Sequence, residues 1–213
     1  MKEERKRSWV KSVFSAIFVL LLIPFISKAQ ELTFGLGLKI EYATPLEKIY
    51  GSGFMSGLSF SFTIGNNFAL EIDSGNWKSE VEEKEGGLYQ GKLSITPVLF
   101  TGQFLIPVGR SFIPYLGIGF GYYFNHFNLS EEIITIPEVK INQEVEDIFG
   151  IHFGGGFDYF FTENMALNGD VKYCLIKPQG ITSIIDMNTR VTKEYFDINL
   201  KTILFKIGVK IYF

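Results

Sequence analysis

The sequence predicts an all-β protein, an eight-stranded antiparallel up-and-down transmembrane β-barrel of the outer-membrane type. Three observations predict this fold. About eight segments alternate apolar and polar residues, and short connections between the segments alternate with long ones. The last segment, Ile203 to Phe213, keeps the alternation up to a C-terminal aromatic residue. Because successive side chains of a strand point to opposite faces, each segment has one apolar and one polar face, as in barrels that contact lipid.

Residues 1–29 have the pattern of a secretory signal peptide. A basic stretch precedes an apolar stretch from Val13 to Ile26, and small residues follow at a cleavage site before Gln30. A transmembrane helix is the alternative, but the apolar stretch is shorter than the roughly 20 residues that span a bilayer and contains Pro24. We therefore predict a signal peptide over 1–29 and a barrel domain over 30–213.

Charge and cysteine content exclude several classes of protein. Without residues 1–29 the chain has 14 Lys and Arg against 21 Asp and Glu, a net charge of −7, and so has no excess of basic residues for nucleic acid. Cys174 is the only cysteine, which excludes an intramolecular disulfide and a lipid anchor at the cleavage site. The mature part has no apolar run of helix length, so any membrane spans must be strands.

The first three segments have the clearest pattern. A turn at Gly65-Asn66-Asn67 joins the second segment to the third. Glycine, serine, threonine and charged residues hold the other parity of each segment. The apolar positions are Leu32, Phe34, Leu36, Leu38, Ile40, Tyr42, Phe54, Leu58, Phe60, Phe62, Ile64, Phe68, Leu70 and Ile72.

The fourth segment, about 88–106, follows a charged loop tip at 78–87 and is the hardest to orient. Leu93 and Ile95 alternate with polar residues, but beyond Pro97 both parities are apolar. Either a bulge at Pro97 or an apolar pocket inside the barrel explains this pattern.

The remaining segments alternate apolar residues with glycine and polar residues. The fifth follows a short turn at 107–111, and the sixth and seventh are joined at 162–164. Their apolar positions are Leu116, Ile118, Phe120, Tyr122, Phe124, Phe149, Ile151, Phe153, Phe157, Tyr159, Phe161, Leu167, Val171, Tyr173 and Leu175.

The alternation of connection lengths predicts the sidedness of the barrel. Short turns are periplasmic in outer-membrane barrels and long loops are extracellular, so the mature N-terminus and Phe213 are expected on the periplasmic side. A soluble calycin-like barrel would also alternate, with its apolar parity facing inward. The long connections are predicted at 43–53, 78–88, 127–146 and 177–196.

Charged residues on the polar parity predict an ion-paired lumen. An eight-stranded barrel is barely wide enough for its own side chains, so matched charges favour a plug over the open pore of a general porin. The residues predicted for this network are Lys39, Glu41, Glu71, Asp73, Lys92, Asp158, Asp170, Lys172, Lys206 and Lys210.

Catalytic and metal-binding patterns are nearly absent. His126 and His152 are isolated, and no cluster has recognisable metal-ligand spacing, so we predict no metal, no cofactor and no enzyme. His126 with a loop serine such as Ser130 is an alternative for a lipid-modifying enzyme. We interpret His126 as an interfacial residue and His152 as a hydrogen-bonded lumen residue. Gly154-Gly155-Gly156 lies within a strand pattern and indicates close backbone packing or strong bending of the strand.

The loop at 127–146 is unusually apolar. It either extends its hairpin above the membrane or offers an apolar surface to a ligand or partner. The apolar residues are Ile133, Ile134, Ile136, Val139 and Ile141.

Two stretches resemble the OmpW family of outer membrane proteins. In 95–122, ITPVL leads by a short turn to FIPYLGIGFGY, similar to the family's PYxGxGxxY strand. In 154–173, GGGFDYFFTENMALNGDVKY resembles its GxDYxxTxNWxLNxDVKY hairpin, with Met165 in place of the usual Trp. The last strand, from Asp197, is also similar, although Lys201-Thr202 stands where a Pro is common. The resemblance covers roughly the C-terminal two thirds of the chain.

The resemblance implies a monomeric barrel of a Gram-negative outer membrane, with a narrow apolar channel that passes small hydrophobic molecules sideways into the membrane. Val98, Phe100, Phe160 and Leu204 are the candidates for lining it. A closed structural or adhesive barrel that acts through its loops is the alternative. The expected partners are outer-membrane lipid, a small hydrophobic ligand and the barrel assembly machinery. The predicted assembly signal is Phe205, Ile207, Val209, Ile211 and Phe213.

Overall fold

The computed structural model describes residues 32–82, 90–130, 139–186 and 191–213. The predicted signal peptide at 1–29 lies outside these residues. Over the described ranges the chain consists of strands, turns and short connections. The strands are β1 (Leu32–Pro45), β2 (Gly53–Ile64), β3 (Phe68–Gly75), β4 (Trp77–Val81), β5 (Gly91–Leu105), β6 (Phe112–Leu129), β7 (Val139–Val145), β8 (Ile148–Phe160), β9 (Met165–Leu175), β10 (Gln179–Asp186), β11 (Val191–Asp197) and β12 (Thr202–Tyr212).

Nine of these strands form a closed sheet. Its order is β3-β2-β1-β12-β9-β8-β6-β5-β4, and a further pairing of β3 with β5 closes the barrel. β3 and β4 are consecutive pieces of one barrel strand, because both pair with β5 in one register: Ser74 lies opposite Val98, and Trp77 opposite Ile95. The barrel therefore has eight antiparallel strands, which confirms the predicted fold.

The other three strands form a small sheet of order β11-β10-β7 that continues the wall beyond the barrel. Between the two sheets, Ile198 N donates to Pro178 O at 2.9 Å and Leu200 N donates to Ile176 O at 3.0 Å. The small sheet therefore occupies parts of the long connections at 127–146 and 177–196. Of the predicted apolar residues in the first connection, two belong to β7, and Ile133, Ile134 and Ile136 lie outside the described residues.

The outward face of the barrel is apolar and exposed. In β1 every second residue from Leu32 to Tyr42 is exposed, with Leu38 at 69%, whereas Lys39 and Glu41 between them are buried. Soluble proteins do not expose an apolar belt of this extent, and lipid removes its contact with water. The membrane barrel, and not the soluble calycin-like one, is therefore the correct fold. The residues of the predicted assembly signal lie on this outward face: Phe205, Ile207, Val209, Ile211 and Phe213.

Short turns join the strands at one end and long connections at the other. Gly65 after β2 and Gly109 after β5 have φ of 59° and 75°, a left-handed conformation that glycine adopts without strain. The third short connection, at 161–164, joins β8 to β9. None of the described residues belongs to a helix long and apolar enough to cross a membrane.

The structure corrects the facing predicted for β5. This strand pairs with β6 without interruption, from Gly91 opposite Leu129 to Leu105 opposite Tyr115, so there is no bulge at Pro97. Its buried positions are the odd-numbered ones, from Leu93 onward. Both parities are apolar because the inner wall is itself apolar at this height, which is the second of the two explanations offered above.

The glycine run in β8 lies where strands approach closely, as predicted. A Cβ at Gly154 would clash with the backbone oxygen of Val171 on β9. A Cβ at Gly156 would clash with the backbone oxygen of Gly169. Bulkier residues at these positions would force β8 and β9 apart.

Candidate functional site in the lumen and its wall

An ion-pair network fills the lower lumen, toward the short turns. Glu71 on β3 lies at its centre. Its Oε1 is 2.9 Å from Lys39 Nζ and 3.3 Å from Lys172 Nζ, and its Oε2 is 2.7 Å from Lys210 Nζ. All four side chains are buried. A single carboxylate thus contacts lysines from β1, β9 and β12.

Asp73, the next inward residue of β3, extends the network upward. Its Oδ2 is 2.5 Å from Lys172 Nζ, and its Oδ1 contacts Lys206. Lys206 Nζ also lies 3.2 Å from Glu41 Oε2. Asp73 is therefore shared by two lysines, whereas Glu41 contacts only one of the network's lysines within ion-pair distance.

Two further carboxylates sit at the edge of the network. Asp170 Oδ2 is 3.5 Å from Lys39 Nζ, and Asp158 Oδ1 is 3.5 Å from Lys210 Nζ. Four lysines thus meet five carboxylates, a formal charge of −1. Because each buried charge has an oppositely charged neighbour, the desolvation cost is offset and the lower lumen excludes a wide aqueous pore.

The structure brings nine of the ten predicted network residues together. Lys92 is the exception: it is exposed on the outer face of β5, because the inward positions of that strand are odd-numbered. The nine are Lys39, Glu41, Glu71, Asp73, Asp158, Asp170, Lys172, Lys206 and Lys210.

Hydrogen bonds fill the lumen below the ion pairs. Asn168 Nδ2 donates to Asp158 Oδ1 at 2.7 Å and to Tyr115 Oη at 3.1 Å, and Tyr212 Oη donates to Asp158 Oδ2 at 2.6 Å. Tyr115 also packs with Ala69 and Leu105 in a small buried cluster, here called the lower apolar cluster.

His152 is a hydrogen-bonded lumen residue. Its Nε2 is 2.9 Å from Thr101 Oγ1, which also accepts a hydrogen bond from Lys172 Nζ at 3.1 Å. His152 is 1% exposed. This position ties it to the ion-pair network and away from any surface that a substrate could reach.

The outer lumen is filled by apolar side chains, here called the outer apolar cluster. They come from the barrel strands and from the connections above, with β8 contributing only the partly buried Ile148, and they begin directly over the ion pairs, at Leu204 on β12. The buried members are Ala43, Tyr50, Met55, Trp77, Val81, Leu93, Ile95, Leu99, Tyr123, Phe127, Val145, Cys174, Ile176, Ile198, Leu200 and Leu204.

Only one of the four predicted channel residues lies in this cluster. Leu204 is a member, but Val98 and Phe100 face outward, and the Phe100 ring stacks on Phe120 at 5.3 Å. Phe160 has the predicted inward parity, yet it lies at the end of the barrel that carries the short turns, its ring 5.1 Å from that of Tyr212. The prediction placed these three wrongly because an apolar inner wall gives no contrast between the faces of β5, and because parity says nothing about height.

The barrel wall has a break between β2 and β4. The ladder of β2 with β3 ends where Gly57 lies opposite Gly75, and pairing resumes only at Tyr50 and Val81. Between these two pairs the chain advances seven residues on one side, from Tyr50 to Gly57, and six on the other, from Gly75 to Val81. One extra residue on one strand is typical of a β-bulge. Within the described strands no ladder pairing joins β2 to β4.

Trp77 covers the break from inside the barrel. A Cβ at Gly53 would lie 2.8 Å from Trp77 Cδ1, so the indole lies directly over the Gly53 backbone. Met55 stands beside it, because a Cβ at Gly75 would lie 3.2 Å from Met55 Sδ. Both side chains belong to the outer apolar cluster. At the break, the planar indole of Trp77 and the unbranched side chain of Met55 thus separate the barrel lumen from the outer face of the wall.

A groove of about 820 Å³ lies at the outer rim, above the break. Ile49, Val81 and Leu129 line its apolar part and contact or belong to the outer apolar cluster. Lys48 and Glu82 stand at its polar edge.

Tyr50, in the connection between β1 and β2, is a buried phenol of the outer apolar cluster. Burial, and secondarily the charge of Glu47, raises the pKa of Tyr50 well above its ordinary value, so its hydroxyl stays neutral. This end of the cluster therefore remains uncharged at physiological pH.

Sequence reasoning missed Trp77 and Met55. The charged, apolar-poor segment at 78–87 is typical of a loop tip, although its first residues, up to Val81, belong to β4. The signal was present, since Asp73, Gly75 and Trp77 continue the inward parity of β3 into β4.

His126 and Cys174 lie on different faces of the barrel wall. His126 is exposed on the outer face of β6, directly opposite Ser94 of β5. Cys174 is buried in the outer apolar cluster. Across the described ranges no group of three His, Cys, Asp or Glu side chains is arranged to hold a metal ion.

Solved structures share this fold at low sequence identity. OprG from Pseudomonas aeruginosa superposes with a TM-score of 0.68 at 19% identity, over 86% of this chain and 96% of that one. AlkL, solved by solid-state NMR in lipid bilayers, gives 0.58 at 15% identity over 88% and 92%. Outer membrane protein W from E. coli gives 0.57 at 16% identity over 87% and 100%.

A search of curated protein sequences finds no significant match. The profile of one family, by contrast, matches nearly all of the barrel, over residues 35–213. This match includes the PYLGIGFGY strand, the FDYFFTENMALNGDVKY hairpin and the C-terminal strand. The chain therefore belongs to the OmpW family.

Proposed function

We propose that this outer-membrane barrel binds small hydrophobic molecules in its outer lumen and passes them sideways into the membrane. The observation that carries the proposal is the division of the lumen into two layers. Apolar side chains fill the outer half down to Leu204, and the ion pairs of Lys206 begin directly below. An apolar molecule gains by entering the first layer and loses by displacing the second, so its favourable route does not continue to the periplasm.

The rim groove supports access from outside the cell. Its volume of about 820 Å³ is within the range of small-molecule sites, and Val81 in its lining is itself a member of the outer apolar cluster. Val81 thus links the groove to the cluster that contains Trp77.

The break between β2 and β4 supports an exit through the wall. At this height the strands lack the ladder of backbone hydrogen bonds that closes the rest of the barrel, so separating them breaks fewer bonds. Trp77 and Met55 must move aside for a solute to pass. Trp77 Nε1 has no hydrogen-bond partner among the described residues, and Met55 is unbranched and flexible, so no polar contact holds either side chain in place.

A matched pair of variants tests this route. Leu204→Asn places an amide in the outer apolar cluster, whereas Leu105→Asn places the same amide in the lower apolar cluster, off the route. We measure uptake of the hydrophobic dye N-phenylnaphthylamine by cells that produce each variant, after checking folding by heat-modifiable electrophoretic mobility. Leu204→Asn is expected to slow uptake about tenfold because a buried amide makes the layer polar, and Leu105→Asn to leave it unchanged. Equal effects of the two variants would refute the route.

A second candidate function is a closed structural or adhesive barrel that acts through its extracellular part. The observation that favours it is the small sheet of β7, β10 and β11, which extends the wall beyond the membrane. Under this candidate, cells that produce the wild-type barrel take up the dye no faster than cells without it.

We further propose that the barrel is a monomer, inserted by the outer-membrane assembly machinery through its last strand and surrounded there by lipid. The ordered end of that strand supports this: Phe213 N donates to Phe34 O at 2.8 Å, and Phe34 N donates back to Phe213 O at 3.2 Å. The strand is thus paired to its last residue, with its apolar side chains directed outward. The proposed role involves no catalytic step.

A further inference from the structure

We infer that the solutes that cross the wall break are single-chain amphiphiles with a carboxylate head, which Lys78 binds at the outer face of the wall. This inference rests on the proposed function and names its ligand class. It follows from the residues on the outer side of the break, which differ in chemistry from those on the inner side.

The outer face beside the break carries a row of polar side chains across three strands. Lys78 of β4 lies directly opposite Ser94 of β5, and Ser94 lies directly opposite His126 of β6. All three belong to the outward parity, and Lys78 and His126 are exposed. The Cβ atoms of directly opposite residues in antiparallel strands are about 5 Å apart, so the polar ends of all three side chains can contact one group of a ligand.

Asn76 holds the lower edge of this row in place. Its Nδ2 donates to Thr96 Oγ1 at 2.8 Å and to Ser94 Oγ at 3.3 Å. Ser94 thus accepts a hydrogen bond from Asn76 and keeps its own hydroxyl proton to donate outward. The row therefore presents an ammonium group and a hydroxyl donor at the break.

Below the row the wall becomes apolar, first on β6 at Phe124 and then, beneath Thr96, on β5 at Val98. Phe124 of β6, opposite Thr96, is exposed, and Tyr122 packs against both Phe124 and Phe149 at 4.8 Å. The row therefore marks the upper edge of the lipid-facing belt. A head group bound there lies at the level of the outer-leaflet head groups.

The inner and outer sides of the break therefore select different parts of one molecule. Trp77 on the inner side is 2% exposed and apolar, and the next residue, Lys78, points outward with a charge. An alkyl chain that lies under Trp77 brings a polar head within reach of Lys78. A hydrocarbon without a head would gain nothing from this row.

The charge of Lys78 is available to such a head. Among the residues that the structure describes, no ion pair joins Lys78 to a carboxylate. The nearest acidic position on its strand is Glu80, which lies directly opposite Lys92 one row further out. Lys92 thus has an acidic residue across from it, whereas Lys78 faces Ser94. The row accordingly favours an anion at Lys78.

The experiment uses Trp77 as the reporter. The sequence has two tryptophans, and the other, Trp9, lies in the predicted signal peptide, so the mature barrel has one. We titrate the mature barrel, in phosphatidylcholine nanodiscs at about pH 8 where a carboxylic acid is ionised, with bromododecanoic acid and with bromododecanol, each brominated at the chain end. Bromine quenches tryptophan at short range, and the two probes differ only in their heads.

The acid is expected to bind the wild-type barrel up to about fivefold more tightly than the alcohol, the range of an exposed ion pair. Lys78→Gln should bring the acid to the affinity of the alcohol and leave the alcohol unchanged. Lys92→Gln, a matched exposed lysine on the neighbouring strand, should change neither. Salt should weaken binding of the acid and not of the alcohol.

Four outcomes overturn the inference, and one of them also overturns the proposed function. Equal binding of both probes to the wild type, or equal losses in Lys78→Gln and Lys92→Gln, removes the carboxylate site and leaves apolar binding standing. Quenching by brominated phosphatidylglycerol that depends on Lys78 shows that the row holds membrane lipid instead. If neither probe quenches Trp77, the outer lumen binds no alkyl chain and the proposed function fails as well.

Discussion

Replacement of Glu71 by Gln should be the most damaging isosteric change in the lumen. Gln keeps the volume and one acceptor but loses the charge that three buried lysines share. After the change Lys39 and Lys210 keep only carboxylates at 3.5 Å, whereas Lys172 keeps Asp73 at 2.5 Å. Two lysines thus lose their short ion pairs, at 2.9 and 2.7 Å.

The expected cost follows from that geometry. Removal of one partner of a buried ion pair costs about 3 to 5 kcal/mol, because the other charge stays buried without compensation. Glu41→Gln provides the matched control within the same network. Its lysine, Lys206, keeps its contact with Asp73, and loss of one carboxylate brings the formal charge of −1 to zero. We expect Glu41→Gln to change the free energy of unfolding by less than about 1 kcal/mol.

The assay is equilibrium unfolding of the mature barrel in phosphatidylcholine vesicles, followed by the emission of Trp77. Urea titrations of the wild type and both variants give the free energies of unfolding at equal slopes. A cost for Glu41→Gln equal to or above that for Glu71→Gln would show that contact geometry does not determine the contributions of these carboxylates. The arrangement of the network around Glu71 would then be wrong.

Three other predictions concern packing, a hydrogen bond and accessibility. Gly154→Ala should lower stability by about 1 to 3 kcal/mol in urea titrations because its Cβ clashes with the neighbouring backbone, whereas Gly102→Ala, whose Cβ finds only one atom at 3.7 Å, should not. Tyr212→Phe removes a 2.6 Å bond to a lumen carboxylate and should cost about 1.5 to 3 kcal/mol, while the same change at the exposed Tyr159 should cost nothing measurable. Cys174, fully buried, should resist maleimide in the folded barrel and react in urea, as mass spectrometry detects; rapid labelling of the folded barrel would show an open outer lumen.

Alternation determined the facing of strands whose two parities differ in polarity. In β1 and β12 lysines and carboxylates alternate with large apolar residues, and both strands face as the pattern predicts. One face of each such strand is buried among the charged residues of the lumen. A shift of the pairing register by one residue would place every apolar side chain in the charged lumen and every charged side chain in lipid.

The pattern failed at β5 for a physical reason. Where the outer lumen is apolar and the outward face has passed the upper edge of the lipid belt, polarity reverses: Leu93 and Ile95 point inward, and Lys92 and Ser94 point outward. Polarity alone cannot distinguish a polar lumen from a polar head-group region. The facing follows instead from the register with β6, whose small inward residue Gly121 packs against Leu99.

The candidate site was predictable only in its charged half. The lysines and carboxylates can be recognised in the sequence because they are charged residues that alternate with apolar ones. The wall break does not, because it depends on a one-residue difference between Tyr50–Gly57 and Gly75–Val81. This difference in residue number appears only when the two strands are paired, so neither segment alone predicts it.

The position of Glu71 also determines when the barrel can close. Its lysines lie 32 residues away at Lys39 and 101 residues away at Lys172, and Lys210 is on the last strand of all. A chain whose first hairpins have formed therefore carries Glu71 and Asp73 on β3 with only one of their lysines, Lys39, in place. Only docking of β12 against β1 and β9 completes the neutralisation. The last strand therefore both closes the barrel and brings the lysines that neutralise Glu71 and Asp73. Insertion of a half-formed barrel into lipid is thereby disfavoured until the last strand is in place.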